Sequence, residues 1–322
     1  MLTRRRVMLL LMVSAMVVAA WVAGPRLSEA EEPRAWRVGF APWIAFDLCV
    51  YAEEAGLFEK HGLDVELIGF DEENDVVRAL ISGDLDAAFC SLGTVVANAD
   101  GTGLDVILVT NVSHGSDGLV ARAGLDGLGD LKGMRIGSKQ RAINRLILSE
   151  ALEHAGMSLD DIEISDVSNT AAKRMLRDGQ LDGAVLWEPC LSEVAEAIGG
   201  RVVYRTSELN SVVVDLMLMR TDRASGRDDE ILGLRSAWFE LLRHIEDRPH
   251  EVFGVAGEIM GQDPEAMRRA WSGVHAGDAS LNARVLGDGF SNYLSRTAYY
   301  LRRDVPLSVR VNPVVTQWGA AQ

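Results

Sequence analysis

Short runs of β-branched and aliphatic residues alternate along most of the chain with stretches whose apolar positions fall at helical spacing. This alternation predicts an α/β fold with mainly parallel sheets. Strands are predicted at 36–41, 64–70, 86–90, 105–112, 117–122, 134–138, 163–167, 183–187, 201–206 and 212–219. Between them, 47–61 brings Leu48, Tyr51, Ala52, Ala55 and Phe58 to one helical face. Segment 142–156 does the same with Ile143, Leu146, Ile147, Ala151, Leu152 and Ala155, and it stops at Gly156, a residue suited to a helix C-cap. From Arg223 onward no strand pattern remains, and the rest reads as helices and loops.

The first 30 residues break this pattern. Arg4-Arg5-Arg6 precedes an apolar run of 17 residues, 7–23, and the small-residue site Ser28-Glu29-Ala30 follows. That order is the pattern of a secretory signal, with cleavage expected after Ala30. The alternative is an uncleaved anchor, since the run is close to the shortest that spans a bilayer. Thr3-Arg4-Arg5-Arg6-Val7-Met8 also has the form of a twin-arginine signal, so either general or twin-arginine export fits. No later stretch is long and apolar enough to cross a membrane.

A weak internal repeat organises the remainder. Segment 79–91 aligns without gaps on 175–187, matching Gly83, Leu85, Asp86 and Ala88 to Gly179, Leu181, Asp182 and Ala184. Each copy reads as the end of a helix, a glycine stop and a strand entering the core, followed at once by another helix start. Joints of this kind are common, but two similar lobes of this sort can face one another across a cleft, with ligands at the carboxyl ends of the strands.

Charge and chemistry narrow the functional classes. The formal charge of the 322-residue chain is −15, and loss of the four arginines and one glutamate of the leader would make it −18. Such a surface repels phosphates, so nucleic acid is not an expected partner. Three cysteines, Cys49, Cys90 and Cys190, lie far apart in apolar surroundings and read as buried thiols, although one disulfide is open to them. Nucleophile-elbow, phosphate-loop, dinucleotide and zinc-protease motifs are absent, and the six histidines are scattered. No catalytic residue, metal or cofactor is therefore expected.

Several loops place polar or aromatic groups just beyond a predicted strand. Trp43 follows the first strand and serves either as a wall for a ligand or as a core aromatic. Ser91 and Thr94 stand at a helix start, where they either cap or help hold an anion. His114 and Asp117 fall where one lobe hands the chain to the other; Asp117 either favours a ligand amine or locks a turn. Arg141 and Asn144 mark another helix start, where an oxyanion could be held. Trp187 and Glu188 end the second copy of the repeat, with Glu188 either capping a helix or facing the cleft.

In this order, the segments Gly56-Leu-Phe-Glu-Lys-His-Gly-Leu-Asp-Val-Glu66, Gly83-Asp-Leu-Asp-Ala87, Ser116-Asp-Gly-Leu-Val120, Asp130-Leu-Lys-Gly133, Gly179-Gln-Leu-Asp-Gly-Ala184 and Trp187-Glu-Pro189 resemble the solute-binding family of ABC importers for nitrate, sulfonate, taurine and thiamine-pyrimidine precursors. The resemblance implies a type II periplasmic-binding-protein fold, two lobes with chain crossings near 113–118 and 212–216. The implied division is a signal peptide at 1–30, a first lobe from 31–115 and 215–322, and a second from 116–214. It implies a monomer that closes over a small-molecule ligand and delivers it to an ABC permease and its ATPase, and it maps the ligand loops onto Trp43, Ser91, Thr94, Asp117, Arg141, Trp187 and Glu188. An enzyme on the same fold and a receptor sensor module are the rival readings. The chain departs from sulfonate and nitrate members in Lys139-Gln-Arg-Ala142, where they often have a small Ser/Thr/Gly turn, and in the acids Asp117 and Glu188. An unpaired carboxylate facing a bare anion is costly, so an amine-bearing, zwitterionic or heteroaromatic ligand is expected over nitrate.

Overall fold

The structure is a computed structural model that describes residues 35–140, 143–208 and 213–318; the expected signal segment 1–30, Arg141 and Val212 lie outside the described residues. The chain opens with β1 (Trp36–Phe40), three short helices α1 (Ile44–Asp47), α2 (Cys49–Glu54) and α3 (Leu57–Lys60), then β2 (Val65–Gly69), α4 (Glu73–Ser82), β3 (Ala87–Ser91), α5 (Leu92–Asn98) and β4 (Leu104–Ser113). The next stretch is β5 (Asp117–Ala121), β6 (Arg135–Gly137), α6 (Ile143–His154), β7 (Glu163–Ser165), α7 (Asn169–Arg177), β8 (Gly183–Trp187), α8 (Cys190–Ala197) and β9 (Arg201–Arg205). It ends with β10 (Val214–Arg220), α9 (Thr221–Ala224), α10 (Asp228–Asp247), α11 (Pro249–Met260), α12 (Pro264–Trp271), β11 (Val274–Ala276), α13 (Ala279–Arg284), α14 (Phe290–Leu301), β12 (Val309–Val311) and α15 (Pro313–Trp318). The helix expected over 47–61 is three pieces, because Gly56 adopts a left-handed φ of 66° that no continuous helix contains.

The strands form two sheets and hence two lobes. The larger has the order β11-β4-β10-β3-β1-β2, with β12 also on β4; the smaller has the order β7-β6-β8-β5-β9. Both are mixed. β1, β2 and β3 run parallel, as do β6, β7 and β8, but β10 is antiparallel to β3 and β4, and β5 is antiparallel to β8 and β9. The strands that receive the chain after each crossing, β5 and β10, thus run opposite to the parallel set of their sheet. The first crossing is His114–Ser116, within the expected segment. The return leaves β9, passes the turn Thr206–Glu208 and rejoins the larger sheet at Val214. It lies upstream of the expected place, since Val214–Leu216 already pair with β4.

Two strands occur beyond Arg223, where none was expected. β11 and β12 are three residues each and lie on β4, at Asn111–Ser113 and Leu104–Val106 respectively. A three-residue edge strand carries no periodicity of its own; its pairing is set by where the surrounding helices deliver it. All ten residues of β4 are buried as a result.

The sequence repeat is a structural repeat, and it reaches further than the aligned residues. Gly83 and Gly179 both end their helices in the left-handed region, at φ 87° and 68°. Asp86 and Asp182 then play equivalent parts, each carboxylate accepting from the backbone N–H of an arginine in the neighbouring strand, Arg37 at 2.9 Å and Arg135 at 3.0 Å. Two residues on, Gly39 and Gly137 admit Leu85 and Leu181; a Cβ there would lie 2.3 Å and 2.7 Å from the leucine Cδ1 atoms. The pairings Gly39↔Ala88 and Gly137↔Ala184 repeat the same register.

Asp182 is also gripped by side chains. Arg122 Nε and Arg135 Nε donate to it at 2.9 Å and 3.0 Å. Burial alone would raise its pKa, but the hydrogen bonds from Arg135 and Arg122 outweigh it and hold the carboxyl down at about 2. A depressed carboxylate contributes stability above its unfolded pKa and loses it as pH falls through the folded value. Asp182→Ala is therefore expected to lower stability by about 2–3 kcal/mol at pH 7 and by less at pH 3. Urea unfolding at the two pH values checks this; equal losses would mean that the ionised carboxylate is not what matters.

Candidate functional site

A cavity of about 410 Å³ lies where the strand tips of the two sheets meet. The structural repeat furnishes both walls. Ala41 and Lys139 follow β1 and β6; Glu73 and Asn169 open α4 and α7, with Asn74 and Thr170 next to them; Ser91 and Trp187 end β3 and β8. All eight line the cavity. Extending the repeat by one helix toward the N-terminus would have found Glu73, Asn74, Asn169 and Thr170 in the sequence.

The larger sheet contributes an organised polar row. Asp215 is the cross-strand neighbour of Ser91 on one side and of Asn111 on the other. Asn111 Nδ2 donates to Asp215 at 2.7 Å, and its Oδ1 accepts from Trp43 Nε1 at 3.1 Å, so one buried amide fixes both an acid and an aromatic wall. Ser91 is the N-cap of α5 through the Thr94 N–H at 3.1 Å, and its hydroxyl donates to Glu73 at 2.9 Å. The Thr94 hydroxyl and the Ser91 N–H donate to Glu73 as well. Thr94 lies behind Ser91, outside the cavity lining, and acts by holding Glu73.

The smaller lobe supplies Asp117, Trp187 and Asn144. Asp117 and Trp187 are register partners in β5 and β8. Asn144 donates to Asn169 at 3.0 Å and to the Val185 carbonyl at 3.2 Å. Asp117 is 3% exposed, and its Oδ2 has no hydrogen-bond partner. Burial raises its pKa to about 7; a hydrogen bond from Ser113 opposes the rise, and the charges of Glu73 and Glu188 add to it. Burial pushes Asp215 well above the carboxylate range, helped by the charges of Glu73 and Asp117 and opposed by Asn111. Glu73 is raised by burial too, against its bonds from Thr94 and Ser91.

Two residues expected at the site stand elsewhere. Glu188 caps α8, accepting from Ser192 N at 3.1 Å and Ser192 Oγ at 2.6 Å, and it pairs with Arg205 at 2.9 Å. A carboxylate directly before a helix is drawn to the free N–H groups of its first turn, which turns it away from the cavity. The His114 ring stacks on His275 with centroids 4.1 Å apart, and the His114 backbone N–H donates to the Gly273 carbonyl at 2.8 Å. Both residues line a separate depression beside the crossings. Of the two alternatives for Asp117, a turn lock and a charge facing the ligand, the orphaned Oδ2 matches the second.

A family model described as the NMT1-like family matches residues 29–276. The chain belongs to the NMT1-like family. The match contains every strand of this NMT1-like protein except β12 and every residue of the cavity wall. The aliphatic sulphonate binding protein SsuA from Escherichia coli superposes with a TM-score of 0.73 at 20% identity, covering 90% of this chain and all of that one. The nitrate-binding protein NrtA from Synechocystis PCC 6803 gives a TM-score of 0.61 at 15% identity, covering 73% of this chain and 69% of that one. These similarities establish the two-lobed periplasmic-binding-protein fold for the NMT1-like chain. In sequence, it is 26% identical over 172 residues to the taurine-binding periplasmic protein of Escherichia coli K12 and 31% identical over 167 residues to a protein of Brucella abortus named as a binding protein. It spans about half the length of these curated relatives, 52% of each.

Proposed function

We propose that this NMT1-like protein is the extracytoplasmic solute-binding component of an ABC transporter, which traps a small polar solute between its lobes and hands it to a membrane permease with its ATPase. The observation that carries this reading is the cavity itself: equivalent strand tips from two sheets wall it, and the chain passes between those sheets at His114–Ser116 and between Arg205 and Val214. Rotation about such crossings opens and closes the walls. The names of the sulphonate-, nitrate- and taurine-binding relatives point the same way.

In this reading residues 1–30 direct export by the general or twin-arginine route, and the mature monomer has one lobe from 31–115 with 215–322 and another from 116–214. Trp43, Ser91, Asp117, Asn144 and Trp187 contact the solute, Thr94 supports Ser91, and Arg141 meets an oxyanion where the solute has one. His114 and Glu188 act at the crossings. No chemistry is assigned to the protein. Burial raises all three thiols, Cys49, Cys90 and Cys190, so none is poised as a thiolate nucleophile.

A thermal-shift screen of sulfonates, amines, nitrate and pyrimidines tests the reading. At least one class is expected to raise the melting temperature and to contract the protein in small-angle scattering. Stabilisation without contraction would argue against capture by closure, and conversion of the compound to a product would make the protein an enzyme.

A further inference from the structure

Among the described residues, no basic side chain is paired with the buried acids of the cavity. Glu73, Asp117 and Asp215 face it from α4, β5 and β10. Among the described residues, the basic side chains lining the cavity are Lys139 and Lys173, and both are engaged at its rim, with Glu72 at 3.5 Å and Glu193 at 3.1 Å. Arg205, on β9, is bound to Glu188 and to the Gly115 carbonyl. An independent observation marks one acid as waiting for a donor: Asp117 is 3% exposed, lines the cavity and leaves Oδ2 unbonded. Buried polar atoms in folded proteins are bonded as a rule, and an orphan inside a binding cavity points to what the ligand brings. Trp43 and Trp187 stand on the two walls, where indole faces attract positive charge.

We propose that the buried end of the solute is a cationic nitrogen, an ammonium or amidinium, which donates to Asp117 between Trp43 and Trp187. This rests on the solute-capture reading and adds the charge of the ligand to it. Three carboxyls this close cannot all ionise in an empty, partly dry cavity, so they retain protons. Docking of a cation reverses the balance: Asp117 gives its proton to the solvent and becomes the carboxylate partner of the bound nitrogen. Capture is therefore coupled to proton release and strengthens as pH rises.

Calorimetry with benzamidine, benzylamine, benzyl alcohol and benzenesulfonate at pH 6 and pH 8 tests this, since both nitrogen probes stay cationic at these values. The two cations are expected to bind and the neutral and anionic compounds to bind at least tenfold more weakly. With Asp117 titrating at about 7, cation affinity is expected to rise about tenfold from pH 6 to pH 8. Asp117→Asn is expected to lose that rise and most of the affinity. Without any ligand, the same variant is expected to gain more in melting temperature at pH 8 than at pH 5, because the cost of a carboxyl raised to about 7 grows from its unfolded pKa up to that value. Failure of both cations to bind, a preference for benzenesulfonate, or a pH-independent cation affinity overturns the assignment. A benzenesulfonate preference with contraction in scattering leaves solute capture standing, whereas cation binding without contraction keeps the charge assignment and counts against capture by closure.

Discussion

Trp187→Ala is expected to weaken binding of a cationic probe at least tenfold while the protein remains folded. The indole ends β8 and lines the cavity from the smaller lobe, as Trp43 does from the larger. Its removal strips the ligand of an aromatic face, and losing such a contact in a desolvated site costs about 1–3 kcal/mol. The effect does not stop at the ring. Trp187 is the register partner of Asp117 in β5, so an alanine there also admits water to the orphaned carboxyl and lowers its pKa toward the ordinary range. The pH dependence of binding should shift along with the affinity. Trp187 is only half-buried and packs at the margin of the main core, so circular dichroism and the melting temperature should change little. Calorimetry with benzamidine on the folded variant decides the matter: unchanged affinity would remove Trp187 from the site.

Gly277→Ala is expected to destabilise the larger lobe by about 3–5 kcal/mol. A Cβ at this position would sit 2.0 Å from the Val109 carbonyl oxygen and 2.6 Å from that of Thr110, both backbone atoms of β4. No rotamer change relieves a clash with backbone. The segment cannot retreat either, because it is tied on several sides: Gly277 N–H donates to Thr110 at 2.7 Å, and its carbonyl accepts from Trp238 Nε1 at 3.0 Å and Asn282 Nδ2 at 2.9 Å. Asn282 in turn accepts from Val109 N–H at 2.9 Å. Equilibrium urea unfolding measures the loss; a change below about 1 kcal/mol would mean that β4 moves aside far more readily than its burial implies.

The central strands and the two-lobed plan were legible in the sequence because their side chains write the signal directly. β3, β8 and the centre of β4 at 106–109 are apolar runs, and the repeated Gly-x-Leu-Asp joint places the same carboxylate under the same arginine N–H in each lobe. β11 and β12 were not legible, since three residues on an edge obey their surroundings more than their own pattern. At the site, Trp43, Asp117 and Trp187 were visible as aromatic or acidic residues just past strands. Asp215 was not, because it sits inside an apolar strand where a lone acid reads as an interruption; only its register with Ser91 and Asn111 reveals its place. Glu188 illustrates the opposite error. Its position beside Trp187 was right, but the amide groups of the following helix turn captured the carboxylate.

The way β4 is enclosed also has a bearing on the order of folding. One edge of this strand is covered by β10 and the other by β11 and β12, all drawn from residues 214–311. The smaller sheet, by contrast, is complete once β9 has been made. A nascent chain can therefore assemble the inserted lobe while the ten residues of β4, buried in the finished fold, still await partners some hundred positions downstream. The larger lobe closes last, and only when nearly the whole polypeptide is available to it.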